Sequence, residues 1–374
     1  MKDIVIQKLP DPFLFRNGTR VKSPADWKAR RTEIADEIIN ILYGGLPPAP
    51  EIMEFIVCQK YPMNHTYLII AGTRDRQLSF EMQLFLPAER EGRLPVILTG
   101  DGGTRYMDPV IDTINARGFI AARFNKSAIV PDLYKVAEIR KSPLYRVYPE
   151  IQSGSLAGWA WGFHRCLDVL TMLDEVDKDN IALTGHSRGG KTALIAGAYD
   201  DRAAYVNPNN SGAGGVGTWR FKMLEYHDEA YTRDSRSEDL SDCLNKLPFW
   251  FSPELEKYRD REDLLPFDQH FLISLAAPRF FLSTEGFSDF WSNPRGSRQS
   301  VMAASEVYKL LGAQDKIYSR YRTGGHAHSP GDFEALMDLM DYRIHGKPLD
   351  AAFTTEPYPG MAPVFDWRCP EINK

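Results

Sequence analysis

Ser187 stands in Gly185-His186-Ser187-Arg188-Gly189-Gly190-Lys191, a G-x-S-x-G pattern. An apolar run, Ile181-Ala182-Leu183-Thr184, precedes it. A small-residue, helix-compatible run, Thr192-Ala193-Leu194-Ile195-Ala196-Gly197-Ala198, follows. A serine on a tight strand-to-helix turn lifts its hydroxyl clear of the sheet, and the helix aims its first N–H groups at the same spot. The glycines are needed because side chains there would strike the neighbouring strands. A serine hydroxyl is a weak nucleophile, so an imidazole must take its proton and a carboxylate must orient that imidazole. The chemistry predicted is acyl transfer. The backbone N–H of Arg188 would be one oxyanion donor, and Gly100-Asp101-Gly102-Gly103 a second source. The Arg188 guanidinium, beside the nucleophile, would hold an oxyanion or a substrate carboxylate.

On this type of scaffold the acid and then the histidine follow the serine. After the late strand Phe280-Phe281-Leu282-Ser283 comes Thr284-Glu285-Gly286-Phe287-Ser288-Asp289. Asp289 lies past a glycine, where the loop can turn back toward Ser187; Glu285 is the alternative, nearer the strand. The last strand leads into Thr323-Gly324-Gly325-His326-Ala327-His328. His326, directly after two glycines, is the favoured base, with His328 as the alternative. The same H-x-H pair suits metal ligation, but no cysteine or acidic cluster stands near it, so no metal is expected there. His65, His164, His227, His270 and His345 read as structural or surface groups, with His270 the one to watch because it falls in an insertion.

The elements that must position these residues alternate along the chain. Ser23-Pro24 opens a helix whose apolar residues Ile34, Ile38, Ile39 and Leu42 recur at helical spacing, and Gly44-Gly45 stops it. Residues 52–57, 67–71 and 78–86 read as antiparallel strands. Strands at 95–99, 118–123, 180–184, 203–207, 279–283 and 316–321 then alternate with helices at 107–117, 156–173, 300–311 and 332–344. That order predicts a mainly parallel sheet with helices on both faces, a three-layer αβα sandwich of the α/β-hydrolase fold. The expectation is one catalytic domain over 1–374, with an entry segment at 1–50. An aromatic and charged insertion at 211–278 would lie on the carboxyl edge of the sheet, where such folds bind ligands.

The 374 residues are 43% hydrophobic and 25% charged, with a net charge of -5. This composition suits a soluble protein and gives no electrostatic reason to expect nucleic acid or an anionic membrane as partner. No apolar run is long enough to span a bilayer, and the N-terminal residues lack a signal-peptide pattern. Cys58, Cys166, Cys243 and Cys369 are far apart in sequence. A cytoplasmic, reducing location is therefore expected, or secretion if a leader was trimmed. Oligomeric state is not legible in the sequence.

Gly185-His186-Ser187-Arg188-Gly189-Gly190-Lys191 resembles the G-x-S-R-x-G-K signature of the glucuronoyl esterases, carbohydrate esterase family fifteen. The likeness extends to Asn209-Asn210-Ser211-Gly212-Ala213-Gly214-Gly215, Trp219-Arg220, 265–270, Ala277-Pro278-Arg279, Asp289-Phe290-Trp291 and 293–296, and to 9–13 with 18–20. The resemblance implies a serine triad without metal or cofactor, acting on the ester between glucuronic acid of xylan, often 4-O-methylated, and an alcohol of lignin. It implies Ser187 as nucleophile, His326 as base, Arg188 at the oxyanion, and Lys191 and Trp291 against the uronate sugar. An ammonium suits sugar hydroxyls, and an indole offers a flat apolar face with one N–H. Fungal members place the triad glutamate where this chain has Asn210; some bacterial members carry the acid in the later loop, which matches Asp289. Many members have a cysteine before the nucleophile, bonded to one after the catalytic histidine, where this chain has His186 and Ala327. The expected activity is hydrolysis of glucuronate esters. The alternatives are a deacetylase of acetylated oligosaccharides and a carbohydrate-binding homologue without catalysis.

Overall fold

Buried residues on the central strands alternate between two apolar clusters. Val96 and Leu98 join one and Ile97 the other; Ile181 and Leu183 oppose Ala182; Phe281 opposes Phe280 and Leu282. A sheet buried on both faces needs a helical layer on each. The protein, seen in a computed structural model that describes residues 2–102, 108–133, 136–226 and 236–371, meets that need as follows.

The chain begins with β1 (Lys2–Val5), α1 (Pro24–Tyr43), β2 (Ile52–Tyr61), β3 (Asn64–Gly72), β4 (Gln77–Phe85), β5 (Leu94–Thr99), α2 (Asp108–Ala116) and β6 (Ile120–Phe124). Then come α3 (Val136–Ile139), α4 (Pro143–Val147), α5 (Ser155–Leu170), β7 (Val176–His186), α6 (Arg188–Tyr199), β8 (Tyr205–Asn209) and β9 (Phe221–Leu224). It closes with α7 (Leu240–Lys246), α8 (Gln269–Ser274), β10 (Phe280–Gly286), α9 (Pro294–Leu310), β11 (Ile317–Arg322) and α10 (Pro330–His345). Nine strands form one sheet in the order β11-β10-β8-β7-β5-β6-β4-β3-β2. The six from β11 to β6 run parallel, and β4, β3 and β2 add an antiparallel flank. Helices α2 and α10 supply Ile111, Ile114, Leu336 and Met340 to one face; α1, α5, α6, α8 and α9 cover the other. This is the sandwich that the alternation predicts.

Helix α1 starts at Pro24, as expected, because the Ser23 side chain accepts from the Asp26 N–H, a cap of the usual kind; two other boundaries move for identifiable reasons. Helix α9 begins at Pro294, six residues before the apolar period, because Asn293 caps it through Gly296 N–H. Strand β8 runs on to Asn209 because its polar end is bonded across strands. Thr184 Oγ1 donates to Asn207, Asn207 Nδ2 to Leu282 O at 2.8 Å, and Asn209 Nδ2 to Thr284 Oγ1 at 3.0 Å. These amides brace β7, β8 and β10 just below the loops that matter for function.

The segment 1–50 does more than lead in. Its strand β1 pairs antiparallel with β9, inside the 211–278 insertion, in a separate two-stranded ribbon that sequence periodicity does not reveal. His227 and Gly103, named above, and position 107, where one expected helix begins, lie outside the described residues. No helix of the described residues is long and apolar enough to cross a membrane.

Candidate active site

Strand β7 ends at His186 and α6 starts at Arg188, leaving Ser187 alone on the turn with φ 57 and ψ -121. Non-glycine residues rarely adopt this backbone state. The turn is held by Ser187 N–H to Asn209 O at 2.9 Å and Lys191 N–H to Ser187 O at 3.0 Å. The flanking glycines are sterically required. A Cβ at Gly185 would fall on the Gly189 carbonyl, and one at Gly189 on the Asp101 carboxylate.

Asp101 belongs to the loop expected to supply an oxyanion donor, but its carboxylate braces the turn. It accepts from His186 N–H at 2.9 Å and pairs with the buried Lys126 ammonium. Burial pushes the Asp101 carboxyl up, yet the Lys126 charge and hydrogen bond, with the His186 N–H, outweigh it and hold it below the usual range.

The two expected partners meet. His326 Nδ1 lies 2.7 Å from Asp289 Oδ2, with the carboxylate 3% and the imidazole 38% exposed. A carboxylate only accepts, so Nδ1 carries the proton and Nε2 is the ring's acceptor. The acid loop is laced to the base loop: Phe287 N–H donates to Arg322 O at 2.9 Å and Ser288 N–H to Gly324 O at 3.0 Å. Asp289 therefore reaches the ring and Glu285 does not. Glu285 is still in β10 and fully buried, its Oε1 accepting from Ser283 Oγ at 2.7 Å. Burial, with Asp289 nearby, pushes its carboxyl up to about 8.

His328 stacks on Phe333, 3.9 Å between centroids, and lies 5.9 Å from His186. The His186 ring packs against His326 at 4.4 Å and makes a 2.6 Å bond from Nδ1 to Asn209 Oδ1. Ala327 follows His326 in the same loop, and all four cysteines are free. His270 is buried between Trp367 and Phe271, bonded to Pro10 O at 2.9 Å; burial lowers its pKa to about 4, as suits a neutral structural histidine.

Ser187 and His326 line one cavity of about 450 Å³ with Arg188, Lys191, Glu238, Lys246, Trp250 and Trp291. Arg188 Nη1 bonds Asp132 Oδ2 at 2.6 Å, and the guanidinium sits 4.9 Å over the Trp250 ring. The Lys191 ammonium donates to Ser211 O at 2.6 Å and Ala213 O at 2.5 Å and lies 3.6 Å from Glu238. It therefore holds the loop after β8 as well as lining the cavity. Lys246 stands 4.1 Å over Trp291. Glu238, Lys246 and Asp132 were not singled out by sequence. None of the three lies in a motif; for Glu238 and Lys246 only the composition of the insertion signalled that it would reach a ligand site, and for Asp132 nothing did. Among the described residues no cluster of three or more metal-ligating side chains occurs.

A family model described as "Glucuronyl esterase, fungi" matches residues 69–312. The 4-O-methyl-glucuronoyl methylesterase of Cerrena unicolor is 31% identical over 86% of this chain, which spans 65% of that protein's length. The corresponding protein 1 of Wolfiporia cocos is also 31% identical over 86% of the chain, which spans 76% of its length. The carbohydrate esterase family 15 glucuronoyl esterase from Caldicellulosiruptor kristjansonii superposes with a TM-score of 0.85. It is 31% identical, with 96% of each chain covered.

Proposed function

The chain belongs to the glucuronyl esterase family, and from that premise we propose that it is a serine carboxylic-ester hydrolase acting on esters of glucuronic acid, the 4-O-methyl form included. The observation that carries the reading is the shared cavity, which puts Ser187, Arg188 and His326 beside a sugar-sized space edged by Trp250, Trp291, Lys191 and Glu238. A volume of about 450 Å³ falls in the range of small-molecule sites and far exceeds what an acetyl group needs. The indoles offer apolar faces to a pyranose ring, and the charged groups offer donors and acceptors to its hydroxyls.

The reaction runs in two steps. His326 Nε2 takes the Ser187 proton as Oγ attacks the uronate carbonyl carbon, and Asp289 steadies the imidazolium. The tetrahedral oxyanion forms at the N-terminus of α6, where the Arg188 N–H and guanidinium stabilise it. Collapse breaks the C–O bond to the alcohol, which leaves with the proton from His326. Water, deprotonated by the same imidazole, then hydrolyses the acyl-enzyme and frees Ser187.

The test is hydrolysis of the methyl ester of 4-O-methyl-glucuronic acid beside an aryl acetate, with wild type and Ser187→Ala. Turnover of the uronate ester that vanishes in the variant is expected. Acetate turnover alone would move the assignment to a deacetylase, and uronate turnover surviving in Ser187→Ala would remove Ser187 from the mechanism.

A further inference from the structure

We propose that Asn210 is a positioning residue for this reaction: its carboxamide ties the loop carrying Asp289 to the loop carrying His326. The inference rests on the Ser187–His326–Asp289 reading above. Asn210 follows the last residue of β8 and is 1% exposed. Its Oδ1 accepts from Gly286 N–H at 2.7 Å, and its Nδ2 donates to Ala327 O at 2.8 Å. The side chain thus grips the backbone three residues before Asp289 and one residue after His326. Its main chain joins the same junction: Asn210 N–H donates to Thr284 O at 2.9 Å, and Asn210 O accepts from Ser292 Oγ at 3.2 Å. That hydroxyl is itself 3.3 Å from His326 Nδ1.

The residue type is specific to the task. Only a carboxamide presents a donor and an acceptor at this reach; aspartate lacks the donor, alanine both, and glutamine is one methylene too long. The backbone is at φ 41, a left-handed conformation that asparagine tolerates better than most residues. The acid and base come from segments separated by β11, and a short Asp289–His326 bond needs both loops in register. A displacement of about 1 Å in such a dyad costs on the order of 100-fold in rate.

Asp289 meets His326 Nδ1 and the His186 ring packs against it; the charged groups lining the cavities it faces are Arg188, Lys191, Glu238 and Lys246 on one side and Asp101, Lys126 and Asp132 on the other. Arg322, paired with Asp332, donates to the same Ala327 carbonyl at 2.5 Å.

The experiment compares wild type, Asn210→Asp, Asn210→Ala and Ser187→Ala on the methyl ester of glucuronic acid. Its readouts are kcat, KM, the pH profile of kcat/KM and the far-downfield NMR resonance of the His326 Nδ1 proton. Asn210→Asp keeps the shape and the Gly286 contact but cannot donate to Ala327 when ionised. A kcat about tenfold lower, with KM within about twofold, is expected. Its acid limb moves to higher pH, because an added carboxylate favours the imidazolium. Asn210→Ala should lose about 100-fold in kcat and broaden the resonance while melting cooperatively. Both variants keeping wild-type kcat and resonance, or a loss in Asn210→Asp that follows only the folded fraction, overturns the proposal. If Asn210→Ala does not fold, Asn210→Asp decides alone. Turnover surviving in Ser187→Ala would defeat the site assignment; an inactive Ser187→Ala beside wild-type-like Asn210 variants defeats this inference only.

Discussion

Oδ2 of Asp289, on a carboxylate almost wholly shielded from water, accepts the hydrogen bond of His326 Nδ1–H across 2.7 Å. The contact fixes the tautomer of the ring, and in the proposed mechanism it would stabilise the charge the ring gains. Asp289→Asn should therefore lower kcat by about 10³- to 10⁴-fold with KM nearly unchanged. Steady-state kinetics on a uronate methyl ester check this. Glu285→Gln, four positions earlier and out of reach of the ring, should stay within about threefold of wild type.

Glu285 should reveal itself in stability. Its ordinary value is 4.5, and burial raises it to about 8 in the folded protein. The folded chain thus keeps a proton that the unfolded chain releases between those values. The stability this group contributes is complete below about pH 4.5, declines by about 1.4 kcal/mol per pH unit as pH rises, and is gone above about pH 8. Glu285→Gln removes that slope. Denaturant melts of both proteins from pH 5 to 8 should show wild type losing stability relative to the variant as pH rises. Parallel curves would count against a neutral buried carboxyl.

The backbone of Ser187, at φ 57 and ψ -121, favours glycine over any residue with a Cβ. Ser187→Gly should abolish turnover and raise stability by about 1 kcal/mol. Matched thermal melts measure it, and a variant less stable than wild type would contradict strain at the turn.

Arg188 is held ready by Asp132 and Trp250. Arg188→Ala should cost about 10²- to 10³-fold in kcat, the usual loss for one oxyanion donor. Asp132→Asn leaves the guanidinium in place but less firmly anchored, and should cost about tenfold or less. Equal losses in both would mean that Asp132 has a part of its own in the chemistry.

Much of the site was legible in the chain. The glycines around Ser187, the strand–turn–helix order and the glycines before His326 are local signals, because they record what the backbone must do at that residue. The alternation of strands and helices gave the sandwich for the same reason: apolar periodicity reports how many faces an element buries. The preference for Asp289 over Glu285 rested on loop reach and on the resemblance to members with the acid in the later loop; in the structure Asp289 is the carboxylate bonded to His326. Other relationships depend on residues distant in sequence. Asp132 under Arg188, Glu238 beside Lys191, the carboxamide of Asn210 between two loops and the pairing of β1 with β9 leave no periodicity or spacing behind. Each is a hydrogen bond or ion pair between segments brought together only when the sheet closes, and the tertiary structure alone decides it.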